Sequence, residues 1–121
     1  MNLSQESQGL SREAKQGKHF FEDGSVYEGD MIKGEPDGYG RRVFPNSDVY
    51  GGQFRKGLEH GYGTMRYKSD ELLDRYVGMW KSGKMDGFGS LVLTNASRME
   101  GSWKNGRLDY GEYQGSDGEI K

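Results

Sequence analysis

From Tyr27 onward the apolar side chains mostly stand apart, separated by glycine or polar residues, with the two-residue period of a strand that buries one face. Tyr27, Gly29 and Met31 fall on one face, and Glu28, Asp30 and Ile32 on the other. The leading position then recurs as Tyr27, Tyr50, Tyr76 and Met99, and the position four residues on as Met31, Phe54, Trp80 and Trp103. A second set, Tyr39, Tyr62 and Phe88, sits between paired glycines, and Phe44, Tyr67 and Leu93 follow near the end of each unit. The pattern predicts stacked antiparallel hairpins with aromatic columns running down the stack. Glycine between the rungs leaves room for rings to lie over a neighbouring backbone.

The glycines carry the same repeat. Tyr27, Gly29, Gly34, Gly38 and Gly40 are echoed by Tyr50, Gly52, Gly57, Gly61 and Gly63, then by Tyr76, Gly78, Gly83, Gly87 and Gly89. With 21 glycines in 121 residues, two chance repetitions of four glycine offsets have odds on the order of one in a million. Gly34, Gly57, Gly83 and Gly106 fall where each hairpin turns and where positive φ is needed. Pro45-Asn46-Ser47-Asp48 and Thr94-Asn95-Ala96-Ser97 supply return turns. Three extra residues between Lys68 and Arg75 are expected to lengthen a loop rather than break a strand.

Each copy reads Tyr-x-Gly-x-(Met/Phe/Trp)-x-x-Gly-x-x-x-Gly-(Tyr/Phe)-Gly, which resembles the MORN repeat, the membrane occupation and recognition nexus. The resemblance implies an all-β fold, a single-layer antiparallel β-hairpin solenoid of about eight strands. Residues 1–16 read as a mobile polar tail, and residues 17–115 as the repeat domain. Within it lie a half-repeat at 17–26, repeats at 27–49, 50–75 and 76–98, and a degenerate repeat at 99–115. In that last copy Tyr110 and Glu112 occupy the offsets of the two late glycines, which puts its second strand in doubt, and residues 116–121 read as a frayed end. The stretch is expected to be a shortened cap or a point inside a longer array.

Hydrophobic residues make up 31% of the chain, too few for a thick core but enough for a thin solenoid. A net charge of -2 offers no global field for nucleic acid, and none is expected as a partner. There is no cysteine, no apolar run of signal-peptide or membrane-spanning length, and hence a cytoplasmic expectation. His19 and His60 have no motif joining them to a nucleophile or metal partner, so no catalytic residue, metal or cofactor is expected. Asp37, Asp86 and Asp109 recur across the turn from Lys33, Arg55, Lys56, Lys81 and Lys104, as expected for exposed charge pairs on facing strands.

Two surfaces are candidates for function. The first is a partner-binding aromatic face made of Tyr27, Tyr39, Tyr50, Phe54, Tyr62, Tyr76, Trp80, Phe88 and Trp103, on which a helix or extended peptide would lie. The second, the alternative, is an anionic-phospholipid edge of Lys33, Arg55, Lys56, Lys81, Lys84, Lys104 and Arg107. Terminal strands offer a route to a homodimer by edge pairing. The resemblance implies a non-catalytic scaffold, cytoskeletal or ciliary in setting, or the accessory domain of a larger enzyme.

Overall fold

The structure, a computed structural model, describes residues 15–117, 119 and 120. They form nine strands: β1 (Lys15–Phe20), β2 (Val26–Ile32), β3 (Glu35–Val43), β4 (Val49–Arg55), β5 (Leu58–Arg66), β6 (Leu73–Lys81), β7 (Lys84–Leu93), β8 (Arg98–Lys104) and β9 (Arg107–Gln114). All lie in one sheet in sequence order, and each neighbouring pair is antiparallel. The fold is all-β, with no helix among the described residues. Most of the expected polar tail lies outside those residues, while Lys15 and Gln16 open β1.

There are nine strands rather than about eight because the fourth copy keeps its second strand. In the first copy Gly29 pairs with Gly40 and Met31 with Pro36, so β3 carries two residues more than β2 between these pairs. In the fourth, Gly101 pairs with Gly111 and Trp103 with Leu108, an excess of one. The bulge absorbs the missing residue, and glycine still faces glycine. Beyond β9 the chain turns back, with the Gly115 N–H donating to Glu119 O at 2.7 Å and an isolated antiparallel bridge between Gln114 and Ile120.

Local chemistry explains the turns. Lys33-Gly34, Lys56-Gly57, Ser82-Gly83 and Asn105-Gly106 all have positive φ at both residues, the backbone of a two-residue type I′ hairpin. At the opposite ends Asn46 and Asn95 each accept a backbone N–H from two residues on, at 2.9 Å, which closes the return turns. The extra residues near Lys68 do lengthen a loop: Asp70 Oδ1 accepts the Leu72 and Leu73 N–H groups at 2.8 and 2.9 Å, and β6 begins at Leu73. Successive copies are tied together by the Gly57, Gly83 and Gly106 N–H groups, which donate to Pro36, Glu59 and Met85 carbonyls at 2.8 to 2.9 Å.

A single sheet would ordinarily leave its rings wet, yet Tyr27, Tyr50 and Tyr76 are 0% exposed. The bulge at each glycine row bends the hairpin over its tyrosine. A Cβ at Gly40, Gly63 or Gly89 would collide with the Tyr27, Tyr50 or Tyr76 ring respectively, so these glycines are ring slots. The phenol O–H groups donate to Asp30, Gln53 and Met79 carbonyls at 2.7, 2.9 and 3.1 Å. The Trp80 and Trp103 indoles donate to Gly63 and Gly89 carbonyls at 3.1 and 3.0 Å. The rings then form one zigzag, Tyr27, Phe54, Tyr50, Trp80, Tyr76, Trp103, with centroids 4.6 to 5.5 Å apart and planes near perpendicular. Edge-to-face pairs of this kind add to the burial energy.

Burial has a pH consequence. It pushes the Tyr27 and Tyr76 phenols from 10.0 to about 12, Tyr67 likewise to about 12, and Tyr50 upward too. These groups ionise more readily unfolded than folded, so their contribution is complete below pH 10 and declines as pH rises from 10 toward 12. Alkaline unfolding is expected in that window, with tyrosinate absorbance and loss of the β circular-dichroism signal rising together. Ionisation of all tyrosines ahead of unfolding would contradict the slots.

Candidate functional site

The nine aromatic positions expected to share a docking face are divided between two faces. Tyr27, Tyr50, Phe54, Tyr76, Trp80 and Trp103 are buried in the ladder. Tyr39, Tyr62 and Phe88 point the other way, because the glycine that follows each, Gly40, Gly63 or Gly89, faces the ladder. They are 66%, 55% and 64% exposed, and Tyr110, outside the expected set, joins them at 73%. Tyr110 pairs with Ser102 and Ser102 with Phe88, so it continues the same row. Four rings therefore stand on β3, β5, β7 and β9, about 10 Å apart, two strand spacings. Between them lie Gln53, Met79 and Ser102. Two of the four are tied at the backbone: Asp30 Oδ2 and Gln53 Oε1 accept the Tyr39 and Tyr62 backbone N–H groups at 3.0 and 2.7 Å.

A family model described as MORN repeat matches the chain four times, over residues 27–49, 50–70, 76–98 and 100–120, more than half its length. The chain belongs to the MORN repeat family. Comparison with curated proteins gave no match. MORN repeats act in protein and membrane interaction, and the family is generally non-catalytic.

The second candidate surface of this MORN-repeat chain sits at the type I′ turns. Lys33, Arg55, Lys56, Lys81, Lys84, Lys104 and Arg107 are all exposed along that edge. The expected pairing with the aspartates does not occur: among the described residues the ion pairs are Arg42 with Asp23 and Glu59, Arg75 with Asp74, and Arg98 with Glu100. Asp37 and Asp86 instead accept the Lys56 and Asn105 backbone N–H groups at 3.1 and 3.4 Å. The carboxylates cap the next copy's turn, which leaves the lysine heads in solvent. Lys81, Lys84 and Lys104 line a depression there with Ser82, Asp86 and Asn105.

One polar cluster lies inside the ladder face. Arg42, 8% exposed, and Glu59, 3% exposed, form an ion pair at 3.2 Å. Arg42 also donates to Ser25 Oγ at 2.8 Å and to Asp23 at 3.1 Å. Its guanidinium lies 3.7 and 4.6 Å from the Phe21 and Phe44 ring centres, a cation–π sandwich. Hydrogen bonds from the Ser25 side chain and backbone, then the Arg42 charge, hold the Asp23 carboxyl below its usual range. In the corresponding places other copies carry Met65 and Leu91 for Arg42, and Pro36, Met85 and Leu108 for Glu59. The signal was available as a charged residue in each of two otherwise apolar columns. His19 stacks edge-on with Phe21 at 4.7 Å, away from His60 in the β5 strand.

Proposed function

We propose that the chain is a non-catalytic protein-interaction scaffold that docks a partner helix or extended peptide along Tyr39, Tyr62, Phe88 and Tyr110. The observation that carries this reading is the row of four rings, each more than half exposed, on alternate strands of one face. Exposed aromatic rows with polar surroundings are where binding energy concentrates. The spacing of about 10 Å suits a helix laid along the stack, in which residues seven apart rise about 10.5 Å. The family resemblance favours a cytoplasmic setting, cytoskeletal or ciliary.

The triple variant Tyr39→Ala, Tyr62→Ala, Phe88→Ala should lose at least about 30-fold in affinity for the partner retained by the unaltered chain, since one hot-spot ring is worth about 2 kcal/mol. Its circular dichroism should be unchanged. Full retention of the partner would refute docking on this row.

The unpaired lysine heads favour a second reading, binding of anionic phospholipid at the turn edge. Its discriminating variant is Lys56→Glu with Lys81→Glu, assayed by sedimentation with phosphatidylserine vesicles. Unchanged sedimentation would exclude that edge.

A further inference from the structure

On the exposed-ring face, strand register brings together residues far apart in sequence. Arg41 pairs with Gly51, Gly51 with Thr64, and Val49 with Arg66. Arg41, Val49, Gly51, Thr64, Arg66 and Lys68 line a depression of about 280 Å³. Its floor is open because Gly51 is exposed and has nothing within 4 Å of where a Cβ would stand.

The charges around it are unbalanced. Arg41, Arg66 and Lys68 make no ion pair among the described residues. Glu28 faces Arg41 across the β2–β3 ladder without forming one. Arg75 faces Arg66 and holds Asp74 at 2.5 Å, while Asp48 accepts the Lys68 backbone N–H at 2.8 Å. Like charges gathered on neighbouring strands oppose folding unless something offsets them. The cluster also occurs once only. Where this copy has Gly51, the others have Glu28, Val77 and Glu100, and where it has Arg66 they have Val43 and Val92.

We propose that this depression binds a phosphoryl group on a serine or threonine of the partner segment that lies along the ring row. Two guanidinium forks match phosphate oxygens, Lys68 adds a point charge, and Thr64 a hydroxyl. Arg41 and Thr64 stand two residues beyond Tyr39 and Tyr62, about 7 Å along their strands. A phosphorylated side chain reaches that far while its backbone rests on the rings. A flat anionic membrane fits less well, since Glu28, Glu100 and Glu112 share this face. The proposal rests on docking along the ring row.

N-acetyl-phosphoserine amide, titrated into the full chain and followed by amide NMR, should give saturable shifts at Gly51, Thr64 and Arg66 that weaken with salt. N-acetylserine amide should give none. Gly51→Glu has space for its side chain and reproduces the residue of two other copies, so it should fold normally and weaken binding at least tenfold. Arg66→Val should do the same. Shifts that centre on the turn lysines, or that survive Gly51→Glu, would overturn the proposal. Phosphatidylserine vesicles that bind in a Gly51→Glu-sensitive way, without any phosphoserine response, would overturn it in favour of a membrane. Phosphoserine amide is too small to occupy the ring row, so this titration and the triple-alanine experiment fail separately.

Discussion

Glu59→Ala should destabilise the fold by about 3 kcal/mol, lowering Tm by roughly 10 °C or more. Glu59 and Arg42 are both nearly inaccessible to solvent, so the truncation strands a buried guanidinium that retains only Asp23, Ser25 and two ring faces. Breaking one side of such a pair is costly, whereas removing both sides is not. The double variant Arg42→Leu, Glu59→Met takes the residues that the third copy carries as Leu91 and Met85. It should return to near the original stability or exceed it. Urea unfolding of the two variants decides the matter, and a loss within about 0.5 kcal/mol for Glu59→Ala would mean that the pair is no more than a surface contact.

A larger loss is expected from Tyr76→Ala combined with Trp80→Ala. Each fully buried aromatic is worth about 3–5 kcal/mol, which together approach or exceed the whole stability of a typical small domain. The two rings touch each other at 5.2 Å and link Tyr50 to Trp103 in the zigzag, so their removal cuts the ladder in two. In a stacked repeat each unit leans mainly on its neighbours. Amide exchange should therefore accelerate first and most in β6 to β9, with β2 to β4 retaining the most protection. By contrast Tyr62→Ala with Phe88→Ala should shift stability by about 0.5 kcal/mol or less, as for other exposed positions. Equal losses from the two double variants would show that both faces are packed. Lost partner capture in the Tyr76, Trp80 variant therefore reports unfolding and gives no information about docking.

The stack itself is legible in the chain because its glycine offsets coincide with its physics: a turn that needs positive φ, and a slot that must receive a ring. The shape of the ladder face is less so. Two-residue alternation sorts side chains within a strand, but the faces of successive strands are related only through register. Gly29 opposite Gly40 is what turns Tyr39 outward. The pair Tyr39-Gly40 nevertheless held the clue, since a residue next to a ladder-face glycine on a strand must face away from it. The displaced Gly111 was harder, because a bulge shortened by one residue leaves no separate mark in the sequence. Asp37 and Asp86 illustrate the same limit: their position beside the turn is readable, but their preference for a backbone N–H over a lysine head depends on where the next copy's turn arrives. Arg41, Gly51, Thr64 and Arg66 come from three strands and two copies, and nothing short of the register assembles them.

The central claim is that the aromatic residues divide into rings that fill the fold and rings that meet a partner. Photochemical labelling of tyrosine in the full chain, with and without bound partner, tests it most directly. Tyr39, Tyr62 and Tyr110 should label in the unbound chain and become protected in the complex, while Tyr27, Tyr50 and Tyr76 stay unlabelled in both. A complex in which Tyr39, Tyr62 and Tyr110 label as before would contradict the claim and place the partner elsewhere.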